Sequence, residues 1–150
     1  KNKIKDEEYI SYLQEKKLEG HIPLYWLMAN YYAQKEMYFE THFWLYTAMI
    51  MTQQDSYLCN DHTARNAPRI LLRAFPKTIE ITTRSQQYIG QSMSEVIFFI
   101  YNLKNRINPK WVCSYGQNQT IDENKILINE ENWDRKRQEV LDKFSSKYMK

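Results

Sequence analysis

Glycine occurs three times and proline four times in 150 residues, and this scarcity limits the chain more than any other feature. A many-stranded β fold needs a turn every ten residues or so, with Gly, Pro, Asn or Asp at its corners. So few breakers leave long uninterrupted runs, which favours helices. Phe, Trp and Tyr supply 22 residues and 43% of the chain is hydrophobic, so there is enough apolar surface to offset the entropy of ordering. The expectation is an all-α bundle of about five or six helices around a long aromatic-rich central helix, forming a single helical domain over residues 1–150.

The few breakers stand where helices should end. Lys1–Glu19 reads as a polar amphipathic helix, with Ile4, Tyr9, Ile10, Leu13 and Leu18 as its stripe and Gly20 as its stop; it has none of the apolar run of a secretory signal. Pro23 suits the first turn of the next helix, which runs to about Gln53 through Leu24, Leu27, Met28, Tyr31, Tyr32, Met37, Phe39, Phe43, Tyr46 and Ile50. Nine aromatics between Tyr25 and Tyr46 make this the expected centre of packing. Asp61 can cap a helix to about Phe75, with Pro68 marking a kink or a later start. In Lys77–Tyr88, Ile79, Ile81 and the threonines leave helix and strand balanced. A second core helix carries Met93, Val96, Ile97, Ile100, Leu103 and Ile107 and stops at Asn108-Pro109. Lys110–Ile128 lacks helical periodicity and reads as a long loop with an apolar patch at 126–128. Asn129 then caps a last helix with the face Trp133, Val140, Leu141, Phe144 and Tyr148, and Lys143, Lys147 and Lys150 lie toward its end.

Several activities are excluded by what the chain lacks. There is no P-loop, no G-x-G-x-x-G, no G-x-S-x-G and no H-E-x-x-H. His21, His42 and His62 have no metal-ligand spacing, and Cys59, Asp61 and His62 read as a helix cap beside a polar histidine rather than a ligand set. Neither a metal nor a cofactor is expected. Glu36 and Glu40, one turn apart and near His42, would be the only acid–base group, and Lys35 and Gln34 beside them point instead to a solvated stripe. A formal charge of +3, mixed along the chain, gives no footprint for nucleic acid. The charge-free stretches His21–Gln34 and Thr41–Gln54 are too short and too polar for a membrane span.

Cys59 and Cys113 allow two readings: buried free thiols, or a disulfide in an exported protein. Their placement between helices favours the disulfide, which would close a loop and contribute about 4 kcal/mol in the chain-entropy model. Arg65, Arg69 and Arg73 recur at i, i+4 and i+8, which puts three guanidiniums on one helical face suited to an acidic protein surface. The long loop adds Trp111, Tyr115, Gln117 and Asn118, residue types that serve recognition on a rigid scaffold. Asn118-Gln119-Thr120 also matches a glycosylation acceptor.

With its two distant cysteines, its ring-rich helix (Tyr31-Tyr32, Phe43-Trp44), Asn108-Pro109-Lys110-Trp111 after a core helix and no catalytic motif, the chain resembles the exported immunity proteins of bacterial antagonism systems such as type VI secretion. The resemblance implies a periplasmic or otherwise exported protein that is no enzyme and that binds a cognate protein toxin, occluding its active site. The alternative is a cytoplasmic secretion-system adaptor or chaperone-like protein with reduced cysteines, binding a partner helix. The long helix, apolar nearly all round, leaves room for a homodimer interface.

Overall fold

The computed structural model describes residues 3–118 and 122–148. Among them are eight α-helices, α1 (Lys3–Lys16), α2 (Ile22–Gln34), α3 (Tyr38–Ser56), α4 (Ala67–Arg73), α5 (Pro76–Thr83), α6 (Ile89–Asn102), α7 (Lys110–Cys113) and α8 (Trp133–Tyr148), with short 3-10 turns between them. The only β element in these residues is an isolated antiparallel bridge, Cys59 to Leu127. The all-α expectation therefore holds, with more and shorter helices than the five or six expected. The sequence reads as one helical domain, and within it the chain forms two compact units: unit 1, Lys1–Ala48 with Lys77–Ile107, and unit 2, Met49–Pro76 with Asn108–Lys150.

The expected long central helix is two helices, α2 and α3. Glu36 adopts a left-handed backbone, φ 54°, with the Glu36 N–H donating to Ala33 O and the Met37 N–H to Tyr32 O. That is the pattern of a Schellman stop, which usually uses glycine. Glu36 pairs with Arg84 and so has a partner at this unfavourable φ. The apolar periodicity runs through the break because both flanking helices bury residues, which hides the stop from the sequence.

Unit 1 is built on rings. Tyr25, Trp26 and Trp44 are buried, and Tyr25 lies 5.3 Å from Trp44 and 6.0 Å, edge-on, from Phe99. Phe43 meets Phe99 at 5.7 Å, completing the cluster between α2, α3 and α6. Tyr25 donates its hydroxyl to Lys17 O, and burial pushes its pKa up to about 12. α6 presents Ser92, Met93, Val96 and Ile100 inward and ends at Asn102, short of the expected Ile107. The following segment is extended and crosses Gly20, where the Ile107 N–H donates to Gly20 O. A Cβ on Gly20 would sit 1.9 Å from Asn105 O, so this crossing requires glycine as well as its φ of 68°. The ambiguous segment after Pro76 is helix α5, in which Thr82 donates to Thr78 O at 2.8 Å and Thr83 to Ile79 O at 2.7 Å. Back-bonding to the preceding turn satisfies these hydroxyls within the helix.

Unit 2 has a smaller interior, and it contains a buried carboxylate. Leu58, Cys59, Ala64, Ala67, Val112, Val140 and Leu141 are buried, together with Thr52, Gln54, Asp55 and Ser56. Asp55, fully buried, accepts from Arg137 Nε at 3.0 Å, and Gln54 donates to Arg137 O at 2.9 Å, which ties α3 to α8. The expected loop 110–128 is more ordered than its lack of periodicity suggests. It holds the single turn α7, a 3-10 turn at Glu123–Lys125 and the bridge to Cys59. The apolar patch pairs with residues 58–60, Ile128 N–H donating to Leu58 O and Asn60 N–H to Ile126 O, both at 2.9 Å.

Candidate functional site

The features singled out in the sequence converge on unit 2, around the helix exit after α3. Cys59 and Cys113 form a disulfide, with S–S 2.03 Å and a Cα–Cα distance of 5.5 Å. Cys59 lies just beyond α3 and Cys113 is the last residue of α7, a one-turn helix where a loop was expected. Behind the bond lies a small core of Ala64, Ala67 and Val112, with Trp111 and Tyr115 packed against it. Trp111 and Tyr115 meet edge-on, 6.4 Å apart and 85° between planes. Both rings are half-buried, so each divides its area between this core and the surface.

Asp61 organises the segment that follows Cys113. One carboxylate oxygen accepts from the Thr63 N–H at 3.0 Å and the Thr63 hydroxyl at 2.6 Å; the other accepts from the Asn118 N–H at 2.8 Å. The Gln117 N–H donates to Thr63 Oγ1 at 2.7 Å. The Thr63 hydroxyl above all, with the backbone N–H groups of Thr63 and Asn118, holds the Asp61 carboxyl below the usual carboxylate range. Gly116 makes this closeness possible, because a Cβ there would lie 2.3 Å from Asp61 Oδ2. Residues 113–118 are thereby fixed at one end by a covalent bond and at the other by two hydrogen bonds to a capping motif. Beside them lies a cleft of about 320 Å³, where Lys110 and Glu123 pair at 3.4 Å above Cys113 and Ser114.

The sequence identified Asp61 only as a helix cap, and it is one, for the 3-10 turn His62–Asn66. Its second role, holding Asn118, joins residues 57 apart in the chain and has no local signature. Thr63 and Gly116 were missed for the same reason. The acceptor pattern at Asn118 runs into residues 119 and 120, which lie outside the described residues, as does Lys150.

The arginine stripe divides. Arg65 sits on the 3-10 turn and stacks on the Tyr57 ring, 3.9 Å from guanidinium to centroid, with Lys143 Nζ at 5.7 Å from the same ring. Only Arg69 and Arg73 share the regular helix α4, which begins beside Pro68 as its fixed φ allows. The 3-10 turn breaks the i, i+4, i+8 register on which a single face of three depended. Arg69 and Arg73 are exposed, with Ile70 40% exposed between them, and neither has an ion-pair partner among the described residues. Nine other basic groups among the described residues do: Lys16, Lys35, Lys77, Arg84, Lys110, Lys125, Arg135, Lys136 and Arg137 each lie within 4 Å of a carboxylate.

The residues considered for catalysis lie in unit 1 and are structurally occupied. Glu36 belongs to the stop between α2 and α3 and is exposed, so it does not share a helix face with Glu40. His42 is fully buried, its Nε2 2.9 Å from Ser85 Oγ. The Ser85 hydroxyl donates to Ile81 O, so the imidazole must donate to Ser85 and is the Nε2–H tautomer. The proton thus runs from imidazole to serine, opposite to the direction in which a histidine would activate a serine nucleophile. His42 Nδ1 is buried with no partner, and burial lowers the pKa of the ring, against which the Ser85 contact works. Among the described residues no group of three His, Cys, Asp or Glu could hold a metal ion, and no helix is long and apolar enough to cross a membrane.

The chain matches no protein-family model, and no curated protein or solved structure is significantly similar to it.

Proposed function

We propose that this is a non-enzymatic binding protein, an immunity protein that neutralises a cognate toxin by occluding its active site. The observation that carries the reading is the fixed segment 113–118. A recognition loop whose backbone is already held pays less ordering entropy on binding, and here both a disulfide and the Asp61 carboxylate hold it. Gln117 and Asn118 stand exposed at its end, the half-buried Trp111 and Tyr115 supply rigid aromatic edges, and α4 of the same unit offers two uncommitted guanidiniums. Positive groups with no ion-pair partner among the described residues favour an acidic protein surface. The disulfide fits an oxidising compartment and so supports export; a cytoplasmic adaptor would carry these cysteines reduced.

A photo-crosslinking residue at Tyr115, with another at Tyr148 as a control, tests the reading in the native organism. Crosslinking from position 115 to a toxic protein, whose toxicity is relieved by the wild-type chain and not by Arg69→Glu/Arg73→Glu, is the expected result. A crosslinked partner whose activity the wild-type chain leaves untouched would overturn it.

A further inference from the structure

The two cysteines of the disulfide in unit 2 differ in access. Cys59 is 1% exposed and belongs to the small core of Ala64, Ala67 and Val112, whereas Cys113 is half-buried and lines the cleft of about 320 Å³. Thiol–disulfide exchange requires a thiolate to reach one sulfur of the bond, so access selects which sulfur is attacked. Here it selects Cys113 and makes Cys59 the leaving group. Cys59 Sγ lies 3.7 Å from Asp55 O, an acceptor for the S–H that the freed thiol would carry. The released cysteine is then a buried thiol with a hydrogen-bond partner, a state of low reactivity.

The same cleft carries charges of both signs. Lys110 and Glu123 pair there at 3.4 Å, with side chains 40% and 79% exposed. A pair so exposed is weak and can give up its partners to a ligand. A molecule that offers a carboxylate to Lys110 and an ammonium to Glu123 replaces the pair without leaving either charge unmatched. Thiols built from amino acids carry both groups beside the sulfur. We propose that Cys113 is an S-thiolation site for a zwitterionic thiol of the glutathione class. The thiolate attacks Cys113 Sγ and forms a new S–S bond there; the Cys59–Cys113 bond breaks, and Cys59 leaves with the electron pair and takes a proton from solvent. One disulfide replaces another, so no further oxidant or reductant enters. The site goes beyond the binding role proposed above and does not depend on it.

The oxidised full chain, incubated near neutral pH with a mixture of reduced and oxidised glutathione, quenched with N-ethylmaleimide and mapped by peptide mass spectrometry, tests it. The expected product carries glutathione on Cys113 and maleimide on Cys59, and exceeds the reverse product by at least about 10-fold. Cysteamine, which has the ammonium but no carboxylate, should give less adduct at equal thiolate concentration. Lys110→Ala, a change at an exposed side chain, should lower the glutathione adduct about threefold and the cysteamine adduct far less. Circular dichroism of each sample confirms that the reaction is read from folded protein. Glutathione on Cys59, an even mixture of the two products, adduct formed only in denaturant, or a Lys110→Ala chain that is thiolated like the wild type would each overturn the proposal.

Discussion

Unit 1 and unit 2 are both helical, but their interiors are held by different forces. In unit 1 Tyr25, Phe43, Trp44 and Phe99 fill the space between three helices, so burial of large apolar surface dominates. In unit 2 small residues, Ala64, Ala67 and Val112, surround the disulfide, and a buried Asp55–Arg137 pair joins α3 to α8. The small side chains Ala64, Ala67 and Val112 around the bond bury little apolar surface. The disulfide, the Asp61 hub and the ion pair supply what packing does not. The segment with the weakest helical pattern is thus the one fixed by specific bonds, and these bonds leave Gln117 and Asn118 exposed.

The comparison breaks most visibly at the disulfide. Cys59→Ala/Cys113→Ala, or reduction, should cost about 4 kcal/mol, the loop entropy regained by the unfolded chain. Urea denaturation with and without reductant measures it. With fluorotryptophan labels, the signals of Trp111 and Trp133 should move before those of Trp26 and Trp44. Next in size is the ion pair: Arg137→Met leaves the fully buried Asp55 carboxylate without that partner and should cost about 3 kcal/mol. Asp55→Ala should cost less, because Arg137 retains some exposure and can turn toward water.

In unit 1 the test is pH. His42 is held neutral in the native state, so the unfolded chain binds its proton at higher pH than the folded one. Stability from this group is complete above the ordinary histidine range, near pH 6.5, and is lost progressively as pH falls below it. The buried Nδ1 has no acceptor for a second proton. His42→Gln, which can still donate to Ser85, should flatten the pH dependence of the thermal midpoint between about pH 6.5 and the acid limb. A smaller effect is expected at the α2–α3 stop, where Glu36→Gly removes the left-handed strain at the loss of an exposed pair and should stabilise by about 0.5 kcal/mol. Smallest of all, Arg69→Ala/Arg73→Ala should shift stability by less than about 0.5 kcal/mol, since these side chains make no ion pair among the described residues. A large loss there would mean that α4 needs its arginines for folding rather than for a partner.

Much of the helical order was legible. Gly20, Pro23, Pro68 and Pro76 mark real starts or stops because their backbone constraints act locally, whatever packs around them. The face Met93, Val96 and Ile100 is buried as its spacing requires. The α2–α3 break was not legible, since its stop uses Glu36 in a conformation glycine would ordinarily mark. The end of α6 was missed because Leu103 and Ile107 continue the apolar spacing, while the crossing over Gly20 pulls the chain out of the helix. At the candidate site, the pairing of the two cysteines could be favoured from sequence, and they are bonded. The division of the arginine stripe could not, because it depends on whether residues 62–66 wind as 3-10 or α.

The helical class, several of the places where helices begin and the cysteines available for a bridge could all be read along the chain. These follow from backbone preferences and short-range periodicity, which act within a few residues. Only the tertiary structure decided that Cys59 meets Cys113, that Asp61 holds Asn118, that Arg137 enters the interior to meet Asp55 and that Phe98 and Tyr101 are left outside. Those outcomes pair groups 54 to 82 residues apart or set a helix's rotation, and both depend on how the helices within a unit share its limited interior.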